Sequence, residues 1–206
     1  MALVKYNNNS LSAVTSVASM PSGAMTLIKS QTASSASTLS FVHGTSDVVF
    51  DGTYPIYVFK FINIHPASTQ PFLFQGSTDT GSSYGVTMTS SAFRAYHNEA
   101  GTSTSLSADT GNDQAQATGF QKLHGNIVNS NDHGGSGEMY FFNPSSTTFV
   151  KHFISTINAS LDDAVVQEQF IAGYFNTTSA IDAIQFKMNS GNIDSGSIKL
   201  YGIKDS

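Results

Sequence analysis

The twelve residues from Tyr54 to His65, reading YPIYVFKFINIH, constrain the fold more than any other part of the chain. Successive side chains of an extended strand point to opposite faces, so Tyr57, Phe59 and Phe61 share one face while Ile56, Val58, Ile62 and Ile64 share the other. Both faces are apolar. A half-exposed strand alternates apolar with polar residues, whereas this one reads as a central strand with both sides covered.

The chain closes on a second strong signal. Ile184 to Ile203 reads IQFKMNSGNIDSGSIKLYGI, two runs of period two around a cluster of Asn, Ser, Gly and Asp. Ile184, Phe186 and Met188 point one way, and Ile198 and Leu200 recur with the same period. The pattern predicts a terminal β-hairpin whose last strand completes the core, an arrangement expected to leave no room for a downstream tail or anchor.

Shorter strands are expected at 24–29, 38–43, 48–50, 72–75, 84–89, 93–97, 120–129, 138–143, 149–158 and 167–175. Turn clusters rich in Gly, Ser, Asn and Asp separate them. Leu161 to Ala164 is expected to form a single helical turn. Residues 98–119 are polar, with Leu106 the sole large apolar side chain, and read as a long loop of the kind that is usually functional or mobile. No segment sustains a helical period. Many short strands with regular turn signals predict an all-β protein, an antiparallel two-sheet β-sandwich of jelly-roll type. Residues 1–23 are expected to form an N-terminal arm or edge strand, and 24–206 a single sandwich domain.

Composition narrows the function classes. Charged residues make up 11% of the 206, against about 25% in an average domain. The surface is therefore rich in hydroxyls and amides, and salt screens few of its contacts. With a net charge of −5 and no basic cluster, nucleic acid is a poor partner, since phosphate binding draws on Lys and Arg. The chain has no Cys, which excludes disulfides and thiolate metal sites. No apolar run reaches the ~18 residues of a membrane-spanning helix, and the start, MALVKYNNNSLSAV, lacks the continuous apolar stretch of a signal peptide.

Several constellations resemble chemical motifs. Gly81-Ser82-Ser83-Tyr84-Gly85 matches the G-x-S-x-G nucleophile elbow, which requires a strand-to-helix turn; here the glycines lie between strands, so Ser83 is expected in a plain turn. The histidines His43, His65, His97, His124, His133 and His152 show no metal-binding spacing. Asp79-Thr80-Gly81 and Asp109-Thr110-Gly111-Asn112-Asp113 resemble fragments of calcium loops without the closing Glu. Asp162, Asp163 and Glu168 are candidate paired carboxylates for glycoside cleavage, which depends on their separation in space. Tyr84, Tyr96, Tyr140 and Tyr174 are candidates for a sugar-binding or subunit-contact face. These readings lead us to expect no catalytic, cofactor or metal site.

Four segments taken together resemble a known group: FKFINIHPAS (59–68), GSTDTGSSY (76–84), FFNPSSTTFVKHFIS (141–155) and NTTSAIDAIQFKMNSGNIDSGSIKLYGI (176–203). The chain is similar over roughly 48–203 to small structural proteins of tailed bacteriophages, marine ones especially, which end in a Gly-Ser-Ile-x-Leu-Tyr-Gly-Ile strand. That resemblance implies a virion protein assembled in the bacterial cytoplasm, with other capsid or tail proteins as partners. It also implies a homo-oligomer, a trimer being the form that suits a jelly roll on a phage. The leading expectation is a non-enzymatic capsid decoration or head-appendage protein. The alternative is a tail-fibre or adhesin module that binds host surface polysaccharide through loop tyrosines and residues 98–119.

Overall fold

The computed structural model describes residues 25–162 and 164–204. The expected N-terminal arm, residues 1–23, lies outside the described residues, as does Asp163. Twelve strands form two antiparallel sheets, and the described residues contain no helix. They are β1 (Thr26–Thr32), β2 (Leu39–Val42), β3 (Ile56–Pro66), β4 (Gln70–Ser77), β5 (Met88–Asn98) and β6 (Thr104–Ala108), then β7 (Gln121–Ile127), β8 (Gly135–Phe142), β9 (Lys151–Leu161), β10 (Val165–Phe175), β11 (Ala183–Met188) and β12 (Ile193–Ile203). The large sheet runs β1-β12-β3-β8-β9-β10-β5-β6 and the small one β2-β11-β4-β7. The chain is an all-β two-sheet sandwich.

Eight strands switch sheets in a regular way: β1 to β2, β3 to β4, β7 to β8 and β11 to β12 each pass from one sheet to the other. The remaining strands form two hairpins, β5–β6 and β9–β10, which extend the large sheet beyond β8. An aromatic core fills the space between the sheets. Phe186 of β11 sits at its centre, with ring centroids 5.0 Å from Phe59, 5.3 Å from Phe61, 5.9 Å from Phe72, 6.1 Å from Phe41 and 6.3 Å from Phe74. Most of these pairs meet edge to face, the arrangement the ring quadrupole favours.

The expected terminal hairpin is not one. β11 pairs with β2 and β4 in the small sheet, while β12 lies between β1 and β3 in the large sheet. The two runs face each other across the core, and the Asn189–Asn192 turn crosses from one layer to the other. A hairpin and an arch both produce two runs of period two around a turn, so the pattern alone does not separate them. Similarly, Phe120–Asn129 and Glu138–Asn143 correspond to β7 and β8, which belong to different sheets.

The strand at Tyr54–His65 is central as expected, with Tyr57, Phe59 and Phe61 buried inward, but its other face is only partly covered. Val58 is buried, whereas Ile62 is 39% exposed. Asn63 takes a left-handed conformation (φ 50°) at a bulge, and this shifts the alternation so that Ile64 turns into the core. Opposite the bulge, Gly196 has φ 112°, and a Cβ there would lie 2.5 Å from the Asn63 carbonyl oxygen. Gly202 is fixed by contact instead, since a Cβ would lie 2.4 Å from the Tyr54 ring. Both glycines of the Gly-Ser-Ile-x-Leu-Tyr-Gly-Ile signature are thus demanded by packing against the Tyr54–His65 segment.

Other expectations are corrected. Leu161, expected in a helical turn, instead ends β9 and pairs with Val165, and Ala164 has φ 55°, outside the right-handed helical region. Of the strand expected at 84–89 only Met88 and Thr89 are strand, and they run on through 93–97 as the continuous β5, while the loop expected at 98–119 contains β6. Val48–Phe50 is not a strand, yet Val48 and Phe50 are buried in the core.

Candidate functional site

Three regions gather polar or aromatic side chains. The first lies inside the sandwich where β7 and residues 109–119 roof the inward face of β10. Gln121 of β7 is fully buried; its Nε2 donates to the Asn112 carbonyl (2.6 Å) and its Oε1 accepts from Ser90 Oγ (2.6 Å). Asn112 Nδ2 donates to Asp109 Oδ2 (2.6 Å) and to Gln169 Oε1 (3.3 Å), and Gln169 Nε2 donates to the Phe93 carbonyl (3.3 Å). Gln75 holds the same roof down by donating to the carbonyls of Thr118 and Gly119. His124 is buried beside Gln167, and burial lowers its pKa to about 4 because the charged imidazolium would lose its hydration. Its Nδ1 has no hydrogen-bond partner, so the ring is held neutral. This layer is closed to solvent and positions the loop above it.

The second region is an open polar pocket of about 580 Å³ at one end of the sandwich, lined by His65, Asp132, His133, Ser160 and Asp194 among others. His65 Nδ1 lies 4.0 Å from Asp194 Oδ2 and its Nε2 3.2 Å from the Ser130 carbonyl, while His133 Nε2 lies 3.6 Å from Asp132 Oδ1. These are two separate acid–imidazole pairs. Among the described residues, no three His, Asp or Glu side chains converge as metal ligands would.

The third region is the outer face of the large sheet. Register places Tyr140, Ile154 and Ala172 in one cross-strand row, and Glu138, Thr156, Phe170 and Phe93 in the next. Phe93 stacks on Phe170 with centroids 4.6 Å apart and planes 9° from parallel. Phe93, Ile154 and Val166 remain about half exposed, and Leu106 on β6 is 73% exposed. The row between Phe93 and Val166 carries Ala95, Glu168 and Asn158, so exposed apolar side chains share this face with polar ones. Beside it, Ala95, His97, Leu106, Val166, Asn158 and Glu168 help to line a shallow pocket of about 500 Å³.

The G-x-S-x-G match is a turn between strands. Ser83 donates to the Asp79 carboxylate through both its backbone N–H (2.9 Å) and its hydroxyl (2.5 Å), and Ser77 Oγ donates to the same carboxylate (2.6 Å). Hydrogen bonds from Ser77 and Ser83 lower the Asp79 pKa to about 2. A carboxylate held at so low a pKa is a weak base toward the Ser83 hydroxyl, and the bonds between the two close the turn. In the second loop, Lys122 Nζ donates to the Gly111 carbonyl and Asn112 occupies Asp109, so the chain's own donors fill the fragment that resembles a calcium loop. Asp162 lies in the β9–β10 reversal and Glu168 on the outer face of β10.

The four tyrosines do not share a face. Tyr140 and Tyr174 lie outward, and Tyr174 sits beside His152 at 5.8 Å. Tyr84 packs near Phe120 at a loop, and Tyr96, at an inward position in the β5 alternation, also borders the shallow 500 Å³ pocket. Sequence reasoning missed the amide layer altogether. Its signal was the phase of β10: Gln167 and Gln169 share the alternation of Ile171 and Phe175, which places amides at inward positions.

Comparison of the chain with models of protein families, with curated proteins and with solved structures finds no match. Among the described residues, no helix is long and apolar enough to cross a membrane.

Proposed function

We propose that the chain is a non-enzymatic structural protein of a bacteriophage virion, a capsid decoration or head-appendage protein displayed on the particle surface. The observation that carries this reading is the outer face of the large sheet, where Phe93, Ile154, Val166 and Leu106 stand exposed in cross-strand rows. Exposed apolar side chains gathered on one face of a sheet are suited to contact with other proteins. We further read the eight sheet-switching strands as a jelly roll: β1, β12, β3 and β8 face β2, β11, β4 and β7, with the two hairpins as insertions. Such a sandwich is a rigid module suited to repetitive packing in a shell, and the partners in this reading are other virion proteins and further copies of the chain.

Locating the protein in purified particles tests the assignment. Labelling over the head at hundreds of copies per particle is expected, whereas confinement to the tail, or absence from particles, would overturn it. A second reading, an adhesin module for host polysaccharide, draws on the 500 Å³ pocket, where Asn158 and Glu168 place hydrogen-bonding groups beside apolar walls. Tail labelling together with binding of host polysaccharide by the purified protein would favour that reading.

A further inference from the structure

A sheet edge is an open row of N–H and C=O groups, and proteins that stay monomeric block it with charge, bulges or short strands. Three of the four sheet edges here are blocked. β1 carries a bulge between Leu27 and Lys29 together with the Lys29 charge. β2 is four residues long. β7 has two register irregularities against β4 and carries Lys122. The fourth edge, β6, is also short at five residues, but it reads Thr104-Ser105-Leu106-Ser107-Ala108, with no charge, no proline and no bulge.

The hydrogen-bond phase of this edge is fixed. Asn98 N–H donates to the Ser103 carbonyl and Asp109 N–H donates to the Ala92 carbonyl, so Ser103, Ser105, Ser107 and Asp109 direct their backbone groups toward β5. Thr104, Leu106 and Ala108 therefore direct theirs outward, and β6 has no strand on that side among the described residues. The sequence is also close to a palindrome about Leu106. Antiparallel pairing of two such strands around a two-fold axis sets Leu106 against Leu106, Ser105 against Ser107 and Thr104 against Ala108. Each outward residue then exchanges both of its backbone bonds, no like charges meet, and the exposed Leu106 side chains join side by side on the outer face.

We propose that β6 is a homodimerisation edge, occupied by β6 of a second copy of this chain, so that the two large sheets run on as one. The inference rests on the edge geometry and does not require the virion assignment. An isologous contact of this kind closes on itself, in contrast to β6 docking on the β1 edge of a neighbour, which would build an open filament.

Sedimentation of the purified full chain, with two variants and one control, tests this. The wild type is expected to sediment as a dimer. Leu106→Lys, which sets two ammonium groups against each other, is expected to halve the mass while retaining the native circular dichroism and a cooperative melt. The Cys-free background permits a second test that needs no destabilised variant. Directly opposed residues in such a bonded pair have Cα atoms about 5.5 Å apart, within disulfide reach. Leu106→Cys is therefore expected to oxidise to a covalent dimer in native buffer, while Leu27→Cys, also exposed (51% against 73% for Leu106) on the bulged β1 edge, is expected not to. A monomeric wild type, an oligomer that Leu106→Lys leaves intact, or equal cross-linking of the two cysteine variants would overturn the proposal.

Discussion

Along the inward face of β10 the side chains change from Gln167 and Gln169 to Ile171 and Phe175, and the sandwich interior changes with them. At the Phe175 end, Phe74, Phe141 and Phe153 pack around the strand and merge with the cluster centred on Phe186. At the Gln167 end, the partners are Asn112, His124 and other amides under the roof of residues 109–119. The aromatic end is filled by two facing sheets that both present apolar residues. The polar end lies where the large sheet outruns the small one, and a loop has to serve as the second layer. A loop brings backbone carbonyls with it, and buried carbonyls require donors. Gln75, Gln114 and Gln121 supply them at Thr118, Gly119 and Asn112. Amides in a core are thus the consequence of covering a sheet with loop instead of strand.

The sharpest way to break this contrast is to remove the hub of the aromatic end. Phe186→Ala empties a site shared by five rings, and it is expected to cost about 3–5 kcal/mol in a denaturant titration. A loss below about 1 kcal/mol, the scale of an ordinary point substitution, would mean that the cluster is not the main source of cohesion.

Between pH 6.5 and 4, acid should act on the polar end. The folded state holds His124 neutral down to about pH 4, whereas the unfolded chain takes up the proton near its ordinary value of 6.5. The full stability is therefore present above pH 6.5 and falls as the pH drops toward 4. The 2.5-unit difference corresponds to about 3 kcal/mol of lost stability. Melting temperature measured against pH should show this limb, and His124→Leu should flatten it. An unchanged limb in that variant would place the acid sensitivity elsewhere.

The smallest effect is expected from Gln121→Ala. It leaves the Asn112 carbonyl and the Ser90 hydroxyl without their partner, at a cost of about 1–3 kcal/mol. Amide hydrogen exchange should accelerate across 109–119 and remain unchanged in β3 and β11. Uniform acceleration would show that the two ends unfold as one unit.

Residues whose periodicity matches their environment were legible in the sequence, and those governed by a distant partner were not. Tyr57, Phe59 and Phe61 alternate cleanly and are buried as read. Ile64 changes side because Asn63 bulges, and the bulge depends on Gly196, far along the chain. Phe186 and Leu200 were both legible as core residues, but their placement on opposite layers follows from pairing with β2, β4, β1 and β3, which no local pattern encodes. Ser83 was read correctly as a turn residue, and its bond to Asp79 accounts for the match to the elbow. Leu106 was visible as the lone large apolar residue of a polar stretch. Its meaning required the knowledge that a strand, and the last of its sheet, runs through that stretch.

The pairing of β1 with β12 also bears on how the molecule is made. Thr32 meets Ser197 and Thr26 meets Gly202, so the first described strand waits for the last before its ladder can form. Bringing together strands so far apart in sequence is entropically slow, and folds dominated by such distant pairings reach the native state in milliseconds to seconds. On the ribosome, β3 would gain its partner β8 well before β12 emerges to fill its other side. The nascent chain therefore passes through a period with the Phe59 strand half covered, which ends only when β12 arrives between β1 and β3.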